Sequence, residues 1–461
     1  MCTRTVGGPT ASGGWATTDE GTGVERVRDG SAGAVDAFGV GPVPRPTEPR
    51  SASAGGDSQV NVVYYLDRFP KLSQSFILNE IYELTQRGHR VAVFSATEPD
   101  ERLRHDEYAE LDVPVYYAPA PSVSQVATVV TSGDFDPRAV LGTLALIDPK
   151  QYAGALYLAH HATAFVESLP FEPDLIHGHF LNWPKLGAVY TGSRLDLPVT
   201  MTAHAYDLFE EPSHALLGTV LDNLTRVVTI SEYNDEYLHR TFEPVTPVEV
   251  VHAGVRPEKY RSTGESVEGR LLSVARFVEK KGLAYAIDAV ARLRERRPRI
   301  EYHIVGTGER EASLRRRARK RGVEDVVTFL GSVSDERLVA EFDEAQVFVL
   351  PCVVASNGDR DGIPVALMEL MAMETPPVST TVSGIPELVS HGANGLLVSP
   401  RDVAGLTDAV ERLLCDDELR HRLGRTARQT VESEFNVHNE VESLLTVFER
   451  AVAEHGVEEY G

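Results

Sequence analysis

The stretch Asp361-Gly-Ile-Pro-Val-Ala-Leu-Met-Glu369 carries a carboxylate, a turn, and a second carboxylate about two helical turns later. Gly362 and Pro364 suit a tight lead into a helix, because a proline in the first turn lacks only an N–H that has no intrahelical partner. The free backbone N–H groups of such a first turn, around Gly362, Ile363 and Pro364, make an anion site. One acidic group can hold sugar hydroxyls and the other ribose hydroxyls, with a diphosphate between them on the helix end. A cap plus a solvated face is the simpler reading of a lone Asp and Glu, so the surrounding chain has to decide.

Further residues could join this chemistry. Arg276 and Lys281, in Ala275-Arg-Phe-Val-Glu-Lys-Lys-Gly282, directly follow a predicted strand. A planar guanidinium and a compact ammonium there would neutralise a leaving diphosphate. Gly306-Thr-Gly308 follows the next strand and permits close backbone approach to a ligand, but it is too short for a dinucleotide fingerprint and no Walker lysine accompanies it. Asp359-Arg-Asp361 has the form of a metal-binding pair. Calcium is excluded because the twelfth position of a loop starting at Asn357 is Met368, not Glu. His177-Gly-His179 after one strand and His204 after another, with His160 and His161, form the set that would favour a metal hydrolase. The arginine runs 292–299 and 315–321 read as solvated helix ends.

These residues need a scaffold, and the rhythm of the chain supplies one. Apolar strands alternate with helical segments from Val60 to Ile230 and again from Arg270 to Leu350, which predicts two parallel sheets covered on both faces. The fold class is therefore α/β, with two doubly wound domains facing a central cleft, and ligands belong at the carboxyl ends of the strands. The expected division is a disordered tail over 1–58, a first domain over 59–250, a hinge over 251–268, a second domain over 269–436, and a final helix over 437–461 packing back on the first domain.

The 461 residues are enough for two or three domains. A net charge of −23, with only seven Lys among 45 basic residues, argues against a nucleic-acid partner. Cys2, Cys352 and Cys415 are too few and scattered for a disulfide framework or zinc module, so a reducing cytoplasm is expected. No run of about 18 apolar residues predicts a spanning helix, and residues 1–20 lack the apolar core of a signal peptide. A peripheral contact with the inner face of the cell membrane stays open.

Taken together, the motifs resemble glycosyltransferase family 4, retaining enzymes of the GT-B fold with two Rossmann-like domains. The carriers are Ser273-Val-Ala-Arg276 with Lys281-Gly282, Val305-Gly-Thr-Gly308, Asp361 to Glu369, and Val382-Ser-Gly-Ile-Pro-Glu387 followed by Asn394-Gly-Leu-Leu397. Phe69-Pro-Lys-Leu-Ser-Gln-Ser-Phe76 with Glu80, His177-Gly-His-Phe180 and Thr202-Ala-His-Ala-Tyr-Asp207 resemble the branch that builds colanic acid and other exopolysaccharides.

The resemblance implies that Arg276 and Lys281 hold the donor diphosphate, Glu369 the ribose, and Asp361 the donor sugar. The backbone of Gly362, Ile363 and Pro364, with Gly306 and Gly308, would support the donor. His204 would lie across the cleft near the transferring sugar. Lys71, Ser73, Ser75 and His179 fall on the acceptor side. The implied partners are a nucleoside-diphosphate-sugar donor and a glycan or lipid-linked glycan acceptor, with no cofactor and no metal. Two departures stand out: Asp361 occupies a position where the family at large has Glu, and the N-terminal Gly-Gly loop is replaced by Phe69-Pro-Lys-Leu-Ser73. A metal hydrolase built on His177, His179 and His204, and a non-catalytic sugar-nucleotide sensor, remain the alternatives.

Overall fold

The computed structural model describes residues 59–100, 104–132, 148–210, 214–242, 244 and 246–458. The tail expected over 1–58 lies outside the described residues. Among the described residues, thirteen strands fall into two sheets, each wholly parallel. The first holds β1 (Asn61–Arg68), β2 (Arg90–Thr97), β3 (Val115–Tyr117), β4 (Leu175–His179), β5 (Val199–Ala203), β6 (Arg226–Thr229) and β7 (Val248–Val250), in the order β3-β2-β1-β4-β5-β6-β7. The second holds β8 (Arg270–Val274), β9 (Glu301–Val305), β10 (Val327–Gly331), β11 (Val347–Val349), β12 (Pro377–Thr380) and β13 (Leu396–Val398), in the order β10-β9-β8-β11-β12-β13.

Strand order reverses between β1 and β4 in the first sheet and between β8 and β11 in the second, and crevices open at such switch points. The loops after β8 and β11 carry Arg276, Lys281 and Asp361, so the sheet brings these distant residues to one crevice.

The apolar run of β1 follows from burial on both faces. Val63 and Tyr65 pack with Phe94, Ala155 and Met201, while Val62, Tyr64 and Leu66 pack on the other side with Ile77 and Ile81. The final helix, Val437–Glu458, joins this second layer through Val441, Leu444, Val447 and Phe448, a stripe at helical spacing. Its start is tied in by Val437 N–H to Val255 O at 2.9 Å, and its far end by Arg226 Nε to Glu454 Oε2 at 3.0 Å. The helix thus packs against the first sheet and runs to Glu458. Among the described residues no helix is long and apolar enough to cross a membrane.

Candidate active site

The crevice is built by loops that grip one another. After β8 and β9 the chain is zipped by Ala275 N–H to Val305 O at 3.0 Å, Phe277 N–H to Thr307 O at 2.8 Å, and Arg310 N–H to Phe277 O at 3.0 Å. A Cβ at Gly306, whose φ is +125°, would lie 2.0 Å from Ala275 O, and one at Gly308 would lie 2.7 Å from Phe277 N and O. These glycines therefore let one strand-end loop lie against the other. The approach expected toward a ligand is, in the structure, an approach toward the loop bearing Arg276, whose side chain is left exposed.

Lys281 ends the single turn Glu279–Lys281, and its Nζ lies 2.9 Å from Asp361 Oδ1. Lys280 Nζ bonds Asp359 Oδ1 at 2.8 Å and stands 3.8 Å from Asp361 Oδ1. Cys352 Sγ donates to the other Asp361 oxygen at 3.3 Å. Burial works to raise the Asp361 carboxyl, but Lys281 and Lys280 overcome it and hold the group below its ordinary range. Asp361 is thus an ionised carboxylate, and Asp359-Arg-Asp361 is a lysine-paired motif in place of a metal pair. Lys280 was not singled out from sequence, where the adjacent Lys281 drew attention.

Pro364 is the N-cap of the helix Val365–Ala372, with Asp361 before it and Glu369 in its second turn. A Cβ on Gly362 would come within 2.9 Å of Ile230 Cδ1, so the absence of a side chain lets this loop meet the end of β6. Tyr260 Oη donates to Glu369 Oε1 at 3.0 Å. Burial pushes the Glu369 carboxyl up, with the Tyr260 bond opposing it. Glu369 lines a cavity shared with Ser75, Asn79, His105, Lys259 and Asp335, so both lobes contribute to its walls.

The histidines sit differently from the expectation. β4 runs through His179, so His177 and His179 lie inside the strand, two apart on one buried face, and not in a loop following it. His160 and His161 are in the helix Pro149–Glu167, where His161 Nδ1 pairs with Tyr116 Oη at 3.0 Å within the other layer. His204 follows β5 as the N-cap of Ala205–Phe209. Its ring accepts from Asp207 N–H while the Asp207 carboxylate accepts from His204 N–H at 2.9 Å. That cap leaves the proton on His204 Nε2, which lies 3.1 Å from His179 Nδ1, and His179 Nε2 then donates to Glu80 Oε1 at 3.2 Å. Tyr64 Oη also donates to Glu80 Oε1.

Burial holds His177 and His179 down at about 3 and His204 well below the ordinary imidazole value, so all three are neutral. Burial also pushes Asp207 up to about 7, against the bonds it accepts from Leu181 and His204 N–H. Glu80, His177 and His179 have ligand atoms within 4.8 Å of one another. His177 spends Nδ1 on Thr200 Oγ1 at 2.8 Å and Nε2 on Thr202 Oγ1 at 3.2 Å, and His179 has its proton directed at Glu80. With its imidazoles engaged in this way, the set does not fit a metal ion.

Lys71, Ser73 and Ser75 lie on the segment that leaves β1, turns through Leu72–Gln74, and enters the helix Ser75–Gln86. Ser75 reaches the Glu369 cavity. Across the cleft, Glu387 accepts from Glu232 N–H at 2.9 Å and Tyr233 N–H at 3.0 Å, capping a first-lobe helix from the second lobe. Arg360 Nη1 donates to Tyr233 Oη at 3.1 Å on the same seam.

Comparison with known proteins bears on this arrangement. The family description "Glycosyl transferases group 1" matches residues 256–430, and "Glycosyltransferase Family 4" matches residues 73–259. The amylovoran biosynthesis glycosyltransferase AmsK of Erwinia amylovora is 29% identical over 406 residues, covering 85% of this chain and 100% of the relative. WcaL of Escherichia coli K12, named for colanic acid biosynthesis, is 29% identical over 412 residues, covering 84% and 99%. In fold, sucrose-phosphate synthase from Thermosynechococcus elongatus superposes with a TM-score of 0.66 at 18% identity, covering 86% of this chain and 100% of the neighbour. Anabaena Alr3699/HepE, solved in complex with UDP-glucose, gives 0.64 at 17% identity, covering 84% and 99%. The two family descriptions between them take in both lobes and the crevice, and the chain belongs to the family 4 glycosyltransferases of the GT-B fold, related to those of exopolysaccharide biosynthesis.

Proposed function

We propose that this glycosyltransferase moves a sugar, with retention of anomeric configuration, from a nucleoside-diphosphate donor to a hydroxyl of a glycan or lipid-linked glycan. The observation that carries this reading is the meeting of Lys281 and Asp361 at the switch point, just before the helix that carries Glu369. In this reading the donor divides the pair: the diphosphate takes Lys281 and Arg276, and Asp361 accepts from sugar hydroxyls. Glu369, held by Tyr260, accepts from the ribose. The bond from the anomeric carbon to the diphosphate breaks as the acceptor oxygen bonds that carbon from the same face, and the acceptor proton passes to the leaving phosphate. The charge on that phosphate is what preorganised cations stabilise in the transition state. A neighbour of the same fold was solved with UDP-glucose, which supports a donor of this class.

No metal enters the proposal, because Lys281, Lys280 and Arg276 supply the positive charge that an ion would bring. His204 is assigned to the sugar side of the cleft, held by its cap and by His179. The test is transfer to a glycan acceptor followed by proton NMR of the new linkage, with and without chelator. Retained configuration and unchanged rate in chelator support the reading. An inverted product, or activity abolished by chelator and restored by a divalent ion, overturns it.

A further inference from the structure

Beside the Glu369 cavity, His105 makes two contacts that fix its protonation state by geometry. Its Nδ1 lies 2.9 Å from Asp335 Oδ1 and its Nε2 lies 3.0 Å from the backbone carbonyl of Leu72. A carbonyl and an ionised carboxylate can only accept, so both ring nitrogens must carry protons. The two acceptors belong to different lobes. Leu72 opens the turn Leu72–Gln74 of the acceptor-side segment, and Asp335 begins the helix Asp335–Glu344 of the second lobe. We infer that His105, as an imidazolium, is a positioning residue that clasps the acceptor-side turn to the donor lobe.

The surroundings fit a cation at this point. From the second lobe Asp335 faces the ring, and Glu369 lies close enough for the His105 charge to act on it. Lys259, bonded to Asp335 Oδ2 and Glu107 Oε1 at 2.7 Å each, adds an opposing positive charge, and Arg256 pairs with Glu107. On its own segment His105 is flanked by Arg104 and Asp106, whose backbone N–H also reaches Asp335 Oδ2 at 3.4 Å. Burial works to lower the His105 ionisation, but Asp335 and the Leu72 carbonyl overcome it and raise the group above its ordinary value. Lys259 ties the same two lobes through Glu107 and Asp335, and His105 links the Leu72 turn to Asp335 at the donor pocket.

The inference rests on the proposed function, in which the cavity takes the donor nucleoside and the 69–75 segment meets the acceptor. The experiment is the pH profile of kcat/KM for the acceptor at saturating donor, in wild type, His105→Arg and His105→Ala. Nucleotide binding by calorimetry and Tm are measured for each variant. Wild type should lose about tenfold in acceptor kcat/KM as pH rises through the His105 ionisation. His105→Arg, which keeps its charge and several donors, should show no such limb, and His105→Ala should sit at the low level throughout. A limb that persists unchanged in His105→Arg, or a His105→Ala variant equal to wild type below pH 6, overturns the clasp. Failure of wild type to bind any nucleotide would instead count against the proposed function.

Discussion

Lys281 Nζ and Asp361 Oδ1 stand 2.9 Å apart, although 80 residues separate them in the chain. They meet because β8 and β11 are neighbours in the second sheet, so the loops that follow those strands share one crevice. The pair satisfies two charges that would otherwise be buried singly at considerable cost. In the proposed function the donor would redirect the pair, the lysine to phosphate and the carboxylate to sugar. Lys281→Ala is expected to lower kcat by roughly 10²- to 10³-fold at saturating donor. Full turnover in that variant would remove Lys281 from the chemistry.

Tyr260 was invisible as a site residue in sequence, yet it bonds Glu369 directly. Tyr260→Phe keeps the ring and removes only the hydroxyl. The loss of this charge-assisted bond should weaken nucleotide binding by about tenfold with Tm little changed. A variant with wild-type affinity would show that Glu369 needs no such partner.

The loop junction at Gly306 predicts a different outcome. A Cβ there would press against the Ala275 carbonyl in a backbone region that non-glycine residues avoid. Gly306→Ala should cost about 2 kcal/mol or more and displace the Arg276 loop, lowering both Tm and activity. Thermal melts and initial rates check this together; an unaltered Tm would mean the two loops separate readily.

His252 gives a pH dependence with a defined sign. Its Nε2 lies 3.8 Å from Glu387 Oε2 in the second lobe, and its Nδ1 lies 3.7 Å from Glu440 Oε1 on the final helix. Burial works to lower its ionisation, yet the two carboxylates raise it to about 9. A folded value above the unfolded one means the stabilisation is complete below about pH 6.5 and is lost as pH climbs through 9. The Tm difference between wild type and His252→Gln should therefore be largest in mild acid and shrink in alkali. A difference that grows with pH would contradict the assignment.

Phe448 tests the return of the final helix. It is fully buried against the first sheet and touches the His177 ring, with centroids 5.0 Å apart. Phe448→Ala should cost about 3–5 kcal/mol. Urea unfolding measures it, and a loss under 1 kcal/mol would show the helix to be dispensable.

The sequence carried the alternation of strands and helices because strands such as β1 and β8 are buried on both faces and read as apolar runs. It did not carry β3, β7, β12 and β13, which have three or four residues each and no period to detect. The acidic pair and Lys281 could be found because they lie near strand and helix ends with distinctive spacing. Lys280, Tyr260 and His105 could not, since their roles depend on which loops the sheet order makes neighbours. His177 and His179 suggested loop ligands because Gly178 broke the apparent strand. In the structure the strand continues, and burial with side-chain partners turns both into neutral members of a hydrogen-bonded layer.

The most direct test of the central claim is calorimetry with UDP, GDP, ADP and TDP against the wild-type chain and Glu369→Ala. The account predicts that one nucleotide binds in the micromolar range without added metal and that the variant loses this binding. Equal binding by the variant, or no binding of any nucleotide by the wild type, would contradict a donor site between Lys281, Asp361 and Glu369.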